Sequence, residues 1–158
     1  MEAVSGPTKS QVRVMGMQIR LVHVDRIIDL RHAVLCRGRH RKHAHFEGDV
    51  ETTTMHLGAM IGKHAVGCLT VLDRPFSKEP AWQLNAMAVD PLYQGGGIGR
   101  SLLSFAETRL RQIDTYQYIW CNAPVPAIQF YEKFGWVAVS EEFSVPHAGP
   151  HRTMLKKL

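Results

Sequence analysis

The chain is poor in cysteine and has no long apolar run. Cys36, Cys68 and Cys121 are its three cysteines in 158 residues, and no two of them have a paired spacing. An odd, sparse count argues against a disulfide scaffold and suits reduced thiols in a cytoplasmic setting. No apolar stretch approaches the ~20 residues that a bilayer crossing needs, so no membrane role is expected. Met1 to Lys9 hold no hydrophobic segment of the signal-peptide kind. No internal repeat is visible. Charge of neither sign dominates: 19 Lys and Arg against 14 Asp and Glu leave +5. That excess would suit a polyanionic ligand and weak nucleic-acid contact equally, and it does not choose between them. What remains is an ordinary globular composition, long enough for one domain with its own core.

Residues 1–16 contain Gly, Ser and Pro without a clear period and read as a disordered leader ahead of a single domain over 17–158. Met15 and Met17 leave a later translation start open. Gln18 to Val22 alternates as a first strand. Asp25 is placed to cap a helix through Ile27, Ile28, Val34 and Leu35, ended by Gly38. Thr52 to Met60 and His64 to Leu72 read as strands joined by Ile61-Gly62-Lys63. After a polar loop, Asp73 to Pro80, the run Trp82 to Val89 reads as a buried strand. Ile98, Leu102, Leu103, Ala106, Leu110 and Ile113 then recur at helical spacing. Gln117 to Asn122 is another strand, broken by Pro124 and Pro126. A short helix carries Ala127, Phe130, Tyr131 and Phe134, with Gly135 as its C-cap. Trp136 to Val139 and Thr153 to Leu155 supply two late strands around the loop Ser144 to Pro150. This order predicts a mixed α/β fold with a largely antiparallel first half.

The informative stretch lies between the buried strand and the long helix: Gln94-Gly95-Gly96-Gly97-Ile98-Gly99-Arg100-Ser101. A strand, a glycine turn and a helix start place backbone N–H groups and a helix dipole where an anion is favoured. Missing side chains let a phosphate come close to the backbone. The spacing does not fit a nucleotide P-loop, because Gln94 stands where the first Gly belongs and Arg100 where the Lys belongs. It does not fit Gly-x-Gly-x-x-Gly from either Gly95 or Gly97. Gln-x-x-Gly-x-Gly does fit, as Gln94, Gly97 and Gly99. This resembles the coenzyme A pyrophosphate loop of the GNAT-type N-acetyltransferases. A glycine-rich connection without a ligand is the plain alternative.

A second stretch, Phe130-Tyr131-Glu132-Lys133-Phe134-Gly135-Trp136, resembles the helix and turn that close over the thiol end of the coenzyme in the same family. Trp120-Cys121-Asn122, Pro150 to Leu155 and Leu30 to Leu35 add to the likeness, which spans about residues 18–158. It implies a GNAT-like mixed α/β fold, with a mostly antiparallel sheet of about seven strands flanked by helices. It implies acetyl-CoA as co-substrate, no metal, and transfer of the acetyl group to a primary amine of a small molecule or peptide. Homodimers are common among such proteins. The coenzyme-binding residues it implies are the main chain of Met87, Ala88 and Val89, the turn Gln94, Gly95, Gly96, Gly97, Ile98, Gly99, Arg100 and Ser101, and Asn122 and Phe130. Gln94 either caps the turn or touches phosphate. Asn122 bonds either the pantetheine arm or its own strand end.

Acyl transfer to an amine sets three chemical demands. A lysine-like amine, with a pKa near 10.4, is neutral in only about one molecule in a few thousand at pH 7, so its proton must be removed. The carbonyl oxygen needs a donor as it gains charge. The thiolate must be helped to leave. Tyr131 is the residue implied for the last step, or else it packs with Phe130 and Phe134. A phenol near pKa ~10 facing a thiolate near ~8.5 favours a strong hydrogen bond over full transfer, which is uphill by roughly 2 kcal/mol. The base stays open among Glu47, Asp49, Glu141, Glu142 and His147. Cys121 has no assigned partner to activate it as a nucleophile.

Arg37 to His45 is rich in Arg, Lys and His. It fits no helix-borne metal pair and no accompanying ligand motif. It reads as a solvated basic loop, or as a loop lining the acceptor side with Phe46, Glu47 and Asp49. Nucleic-acid binding through it lacks interleaved aromatics. The alternative to an enzyme is an acyl-CoA-binding sensor module without turnover.

Overall fold

The computed structural model describes residues 16–158, so the expected leader lies outside the described residues apart from Gly16. The fold is mixed α/β, with a mostly antiparallel sheet of eight strands flanked by helices. The strands are β1 (Met17–Leu21), β2 (Met55–Ile61), β3 (His64–Asp73), β4 (Trp82–Val89), β5 (Tyr118–Pro124), β6 (Val137–Ala138), β7 (Phe143–Val145) and β8 (Gly149–Lys157). The α-helices are α1 (Ile28–Leu35), α2 (Ile98–Ile113) and α3 (Ile128–Glu132). Among the described residues, backbone contacts form two compact units, 16–70 with 86–106 and 71–85 with 107–158.

In the first unit the sheet order is β1-β2-β3-β4. β1 runs antiparallel to β2, with Met17 opposite Ile61 and Leu21 opposite Leu57. Gly62, at φ +59°, makes the tight β2–β3 turn that the sequence signals. The core gathers Val24, Ile27, Ile28, Leu30, Met60 and Cys68, with Val34 and Phe46 packed against it. Asp25 does not cap α1. It sits in a short 3-10 turn whose own cap is His23, and Ile27 precedes α1 with no side-chain cap. Gly67 of β3 is a point of close approach: a Cβ there would lie 2.8 Å from Ile98 and 3.0 Å from Leu102. The first turns of α2 therefore seat directly on β3.

In the second unit the order is β4-β5-β8-β6, and β7 pairs with β8. β4 and β5 are parallel, with Trp82 opposite Ile119 and Gln83 opposite Trp120. β5 and β8 pair antiparallel along their whole length, from Tyr118 opposite Lys157 to Pro124 opposite His151. The eighth strand, β7, lies in a stretch that reads from sequence as a loop. Its pairing with β8 is non-local and only three residues long, too short for a periodic signal. On α2 the apolar stripe is buried from Ile98 to Leu110, but Ile113 is 41% exposed, contrary to its place in the pattern.

Candidate functional site

Local chemistry shapes the glycine turn. Asp90 ends β4 and caps the next turn, its Oδ1 accepting from Leu92 N at 2.9 Å. The Asp90 N–H donates to Val66 O at 2.9 Å, which ties the turn to β3. The Gln94 side-chain amide donates back to Val89 O at 3.0 Å, so Gln94 closes the turn onto the end of β4. Gly95 and Gly97 stand at φ +79° and +88°. An L side chain is strained at those angles, although open space surrounds both positions. The glycines are thus demanded by backbone shape, and the turn has no side chains to cover it. Gly96 is exposed, and Gly99 half-buried beside buried Ile98.

The Ser101 N–H bonds Gly97 O at 2.9 Å and so enters the helical ladder. The N–H groups of Ile98 and Gly99 precede that first intrahelical bond, where a helix presents donors outward. Arg100 is exposed in the same turn, and no acidic residue occurs from Pro91 to Ser101. Main-chain donors, a helix dipole and a guanidinium are features that favour an anion. Before it, β4 carries a left-handed residue, Ala86 at φ +52°. A non-glycine residue in that conformation inside a strand marks a local break in the pleat. Met87, Ala88 and Val89 follow it, with Ala88 buried.

The second unit carries the aromatic turn. Tyr131 is 5% exposed. Its ring meets Phe130 edge-on at 5.3 Å and Trp136 at 5.2 Å. Phe130 in turn meets Phe134 at 5.1 Å. The Tyr131 hydroxyl hydrogen-bonds the Cys121 sulfur on β5. Burial, and then the neighbouring sulfur, push the phenol well above its usual range. Tyr131 is therefore suited to donate a hydrogen bond and poorly suited to give up its proton. Burial pushes the Cys121 thiol up to about 12, which leaves it without a usable thiolate. The Asn122 side-chain oxygen accepts from Thr153 Oγ1 at 2.9 Å, across the β5–β8 pair. The Tyr131 ring belongs to the core, and its hydroxyl is directed at the Cys121 sulfur. Cys121 is the partner that sequence reading missed; its place ten residues before Tyr131 carries no local signal.

Among the candidate bases, Asp49 is committed elsewhere. Its carboxylate takes a two-pronged salt bridge from Arg31, at 2.7 and 3.0 Å, and a bond from Phe46 N at 2.8 Å. Arg31 is fully buried and also donates to Ala44 O and to Thr70 Oγ1. Its guanidinium lies 4.8 Å from the centre of the Phe46 ring. His56 completes the cluster, with Nδ1 2.8 Å from Thr70 Oγ1 and Nε2 2.8 Å from Asp49 O. A carbonyl only accepts, so Nε2 carries the proton and Nδ1 accepts from the threonine hydroxyl. A second proton on Nδ1 would displace that hydroxyl hydrogen. Desolvation likewise lowers the His56 pKa. Glu47, Glu141, Glu142 and His147 are exposed.

The basic stretch is a surface turn with fixed shape. Arg41 pairs with Asp29 at 2.8 Å, Arg39 bonds His43, and His40 caps the turn Arg41–Ala44. Among the described residues no group of three or more His, Cys, Asp or Glu is placed to hold a metal ion.

The family model for the acetyltransferase (GNAT) family matches residues 27–136. The uncharacterized N-acetyltransferase YitI of Bacillus subtilis (strain 168) is 26% identical over 145 residues, which is 90% of this chain and 97% of that protein. Escherichia coli ElaA superposes with a TM-score of 0.74 at 16% identity, over 89% of this chain and 99% of its own. A coenzyme A complex of an aminoglycoside 6'-N-acetyltransferase superposes with a TM-score of 0.72 at 15% identity, over 89% and 97%.

Proposed function

Because the chain belongs to the acetyltransferase (GNAT) family and is thereby an acyl-CoA-dependent N-acyltransferase, we propose that it moves the acetyl group of acetyl-CoA directly to a primary amine of a small molecule or peptide. The observation that carries this reading is the glycine turn, with Gly95 and Gly97 in the left-handed region and the start of α2 beyond them. In this reading the main chain from Gly95 to Arg100 holds the diphosphate, and the Arg100 guanidinium adds charge. Gln94 shapes the turn instead of touching phosphate, since its amide is turned to Val89 O. The Ser101 hydroxyl is available to the ligand, its N–H being used in the helix. Asn122 and Phe130 meet the pantetheine arm.

The amine attacks the thioester carbonyl carbon, and the carbonyl oxygen gains charge. A main-chain N–H near Met87 to Val89 stabilises that oxygen. The carbon–sulfur bond then breaks and the amine proton leaves to a base or a water relay. Tyr131 donates its hydroxyl to the departing thiolate, as it does to a sulfur in the resting protein. No metal and no acyl-enzyme take part. The three free cysteines are buried, which suits a reducing cytoplasm.

An amine panel read by thiol release tests the reaction. Tyr131→Phe should lower kcat about 30-fold, the rate equivalent of roughly 2 kcal/mol. KM for acetyl-CoA should stay within about twofold. An unchanged kcat removes Tyr131 from the mechanism, and acetyl-CoA binding without turnover on any amine favours a sensor.

A further inference from the structure

The turn that carries Tyr131 is held from its far end. α3 finishes in a tight set of bonds: Phe134 N and Trp136 N both donate to Tyr131 O, at 3.0 and 3.2 Å, and Gly135 N donates to Glu132 O at 3.1 Å. The Phe134 carbonyl accepts from Lys156 Nζ of β8 at 2.5 Å. The same ammonium lies 2.5 Å from Glu107 Oε1 on α2, and the Glu107 side chain is only 5% exposed. Arg111, one helical turn on, reaches that carboxylate oxygen at 3.4 Å. A Cβ on Gly135 would stand 3.7 Å from Lys156 Cε, so the stem of the lysine also lies against the turn.

A buried carboxylate on the long helix, a cation from the last strand and a carbonyl at a helix end thus form one junction. Such a junction is costly to build for stability alone, because desolvating the two charges offsets much of their attraction. It does give a single fixed geometry to the residues it joins. Those residues run without a break from Phe134 to Tyr131, through the bonds that Tyr131 O accepts.

Resting on the role proposed above for Tyr131, we infer that Lys156 is a positioning residue: it fixes the Phe134–Gly135 turn between Glu107 and β8, and so sets the Tyr131 hydroxyl. Lys156 touches neither coenzyme nor acceptor in this scheme.

The test is a double-mutant cycle in the full chain. Lys156→Met should lower kcat about tenfold, with KM for acetyl-CoA held within about twofold, and Lys156→Arg should restore most of the loss. In a Tyr131→Phe background the same lysine change should cost less than about twofold, because the group it positions is gone. Equal losses in both backgrounds, or no loss in either, overturn the inference. If Tyr131→Phe by itself leaves kcat unchanged, the mechanistic reading has failed, and a second arm still judges the junction. Iodoacetamide labelling mapped by mass spectrometry should show Cys121 reacting faster in Lys156→Met, with Cys68 of the other unit unchanged. Both cysteines rising together, or neither, rejects local positioning. Should Lys156→Met fail to fold, Glu107→Gln keeps the size of the side chain, removes the charge, and carries the same expectations.

Discussion

The first unit is built around a fully buried guanidinium and carries a bare glycine turn, whereas the second stacks aromatic rings beside a lysine–carboxylate pair. In the first, Arg31 satisfies Asp49, Thr70 and the Ala44 carbonyl at once, and the start of α2 is reached through a glycine turn almost without side chains. In the second, Phe130, Tyr131, Phe134 and Trp136 meet ring to ring, and the Tyr131 phenol lies on that stack. The difference suits the two tasks proposed above. A diphosphate is gripped by many weak main-chain donors, which need a bare turn on a stiff base. A departing thiolate needs one donor in one place, which dispersion packing of large rigid rings supplies. The two regions should therefore answer differently to substitution and to pH.

The largest contrast should come from Asp49→Ala. Leaving Arg31 buried without its carboxylate should destabilise the protein by about 3–5 kcal/mol, read from denaturant unfolding. Hydrogen exchange should rise first in α1 and the segment around Ala44. A cost under about 1 kcal/mol would mean that the ion pair is not what organises this region.

Gly97→Val tests the turn without touching the Arg31–Asp49 ion pair. At φ +88° and with open space around it, the new side chain is strained but not blocked. The expected cost of ~1–3 kcal/mol should appear as a 5- to 150-fold weaker dissociation constant for coenzyme A by calorimetry. Tyr131→Phe in the same assay should bind coenzyme A almost normally, and equal losses from the two variants would erase the comparison.

The smallest expected effect is in pH. The folded His56 pKa is below the unfolded value of 6.5, so its contribution is fully present above pH 6.5. It is lost as the pH falls from there through the lower folded pKa, because the unfolded state then binds the extra proton. Stability measured from pH 7 to pH 5 should fall less steeply in His56→Gln than in the native protein. Parallel slopes would mean that His56 does not titrate with unfolding.

Much of this was legible from local pattern. The apolar run from Trp82 to Val89, closed by Asp90-Pro91, marks β4 at the bounds it has. The glycine turn and the buried stripe of α2 were likewise readable, since each is fixed by neighbours within a few residues. Asp25 misled because a good cap residue was present, while the helix begins later, after a 3-10 turn. Ile113 misled because spacing shows a stripe without showing where its cover ends. Asp49 stays among the candidate bases in the sequence because its partner, Arg31, is 18 residues away. Thr70 is a further 21 residues on, and nothing in either segment announces the other.

The sequence by itself determined the family, the glycine turn, its helix and the aromatic motif, because backbone angles and hydrophobic period are set by residues close along the chain. Only the tertiary structure decided that Asp49 is bound to Arg31, that Tyr131 points at Cys121, and that Lys156 joins Glu107 to Phe134. Those pairings join residues that are remote in sequence and meet only once strands pair and helices pack, and whether a charge is a free base or a buried fastener depends on that meeting.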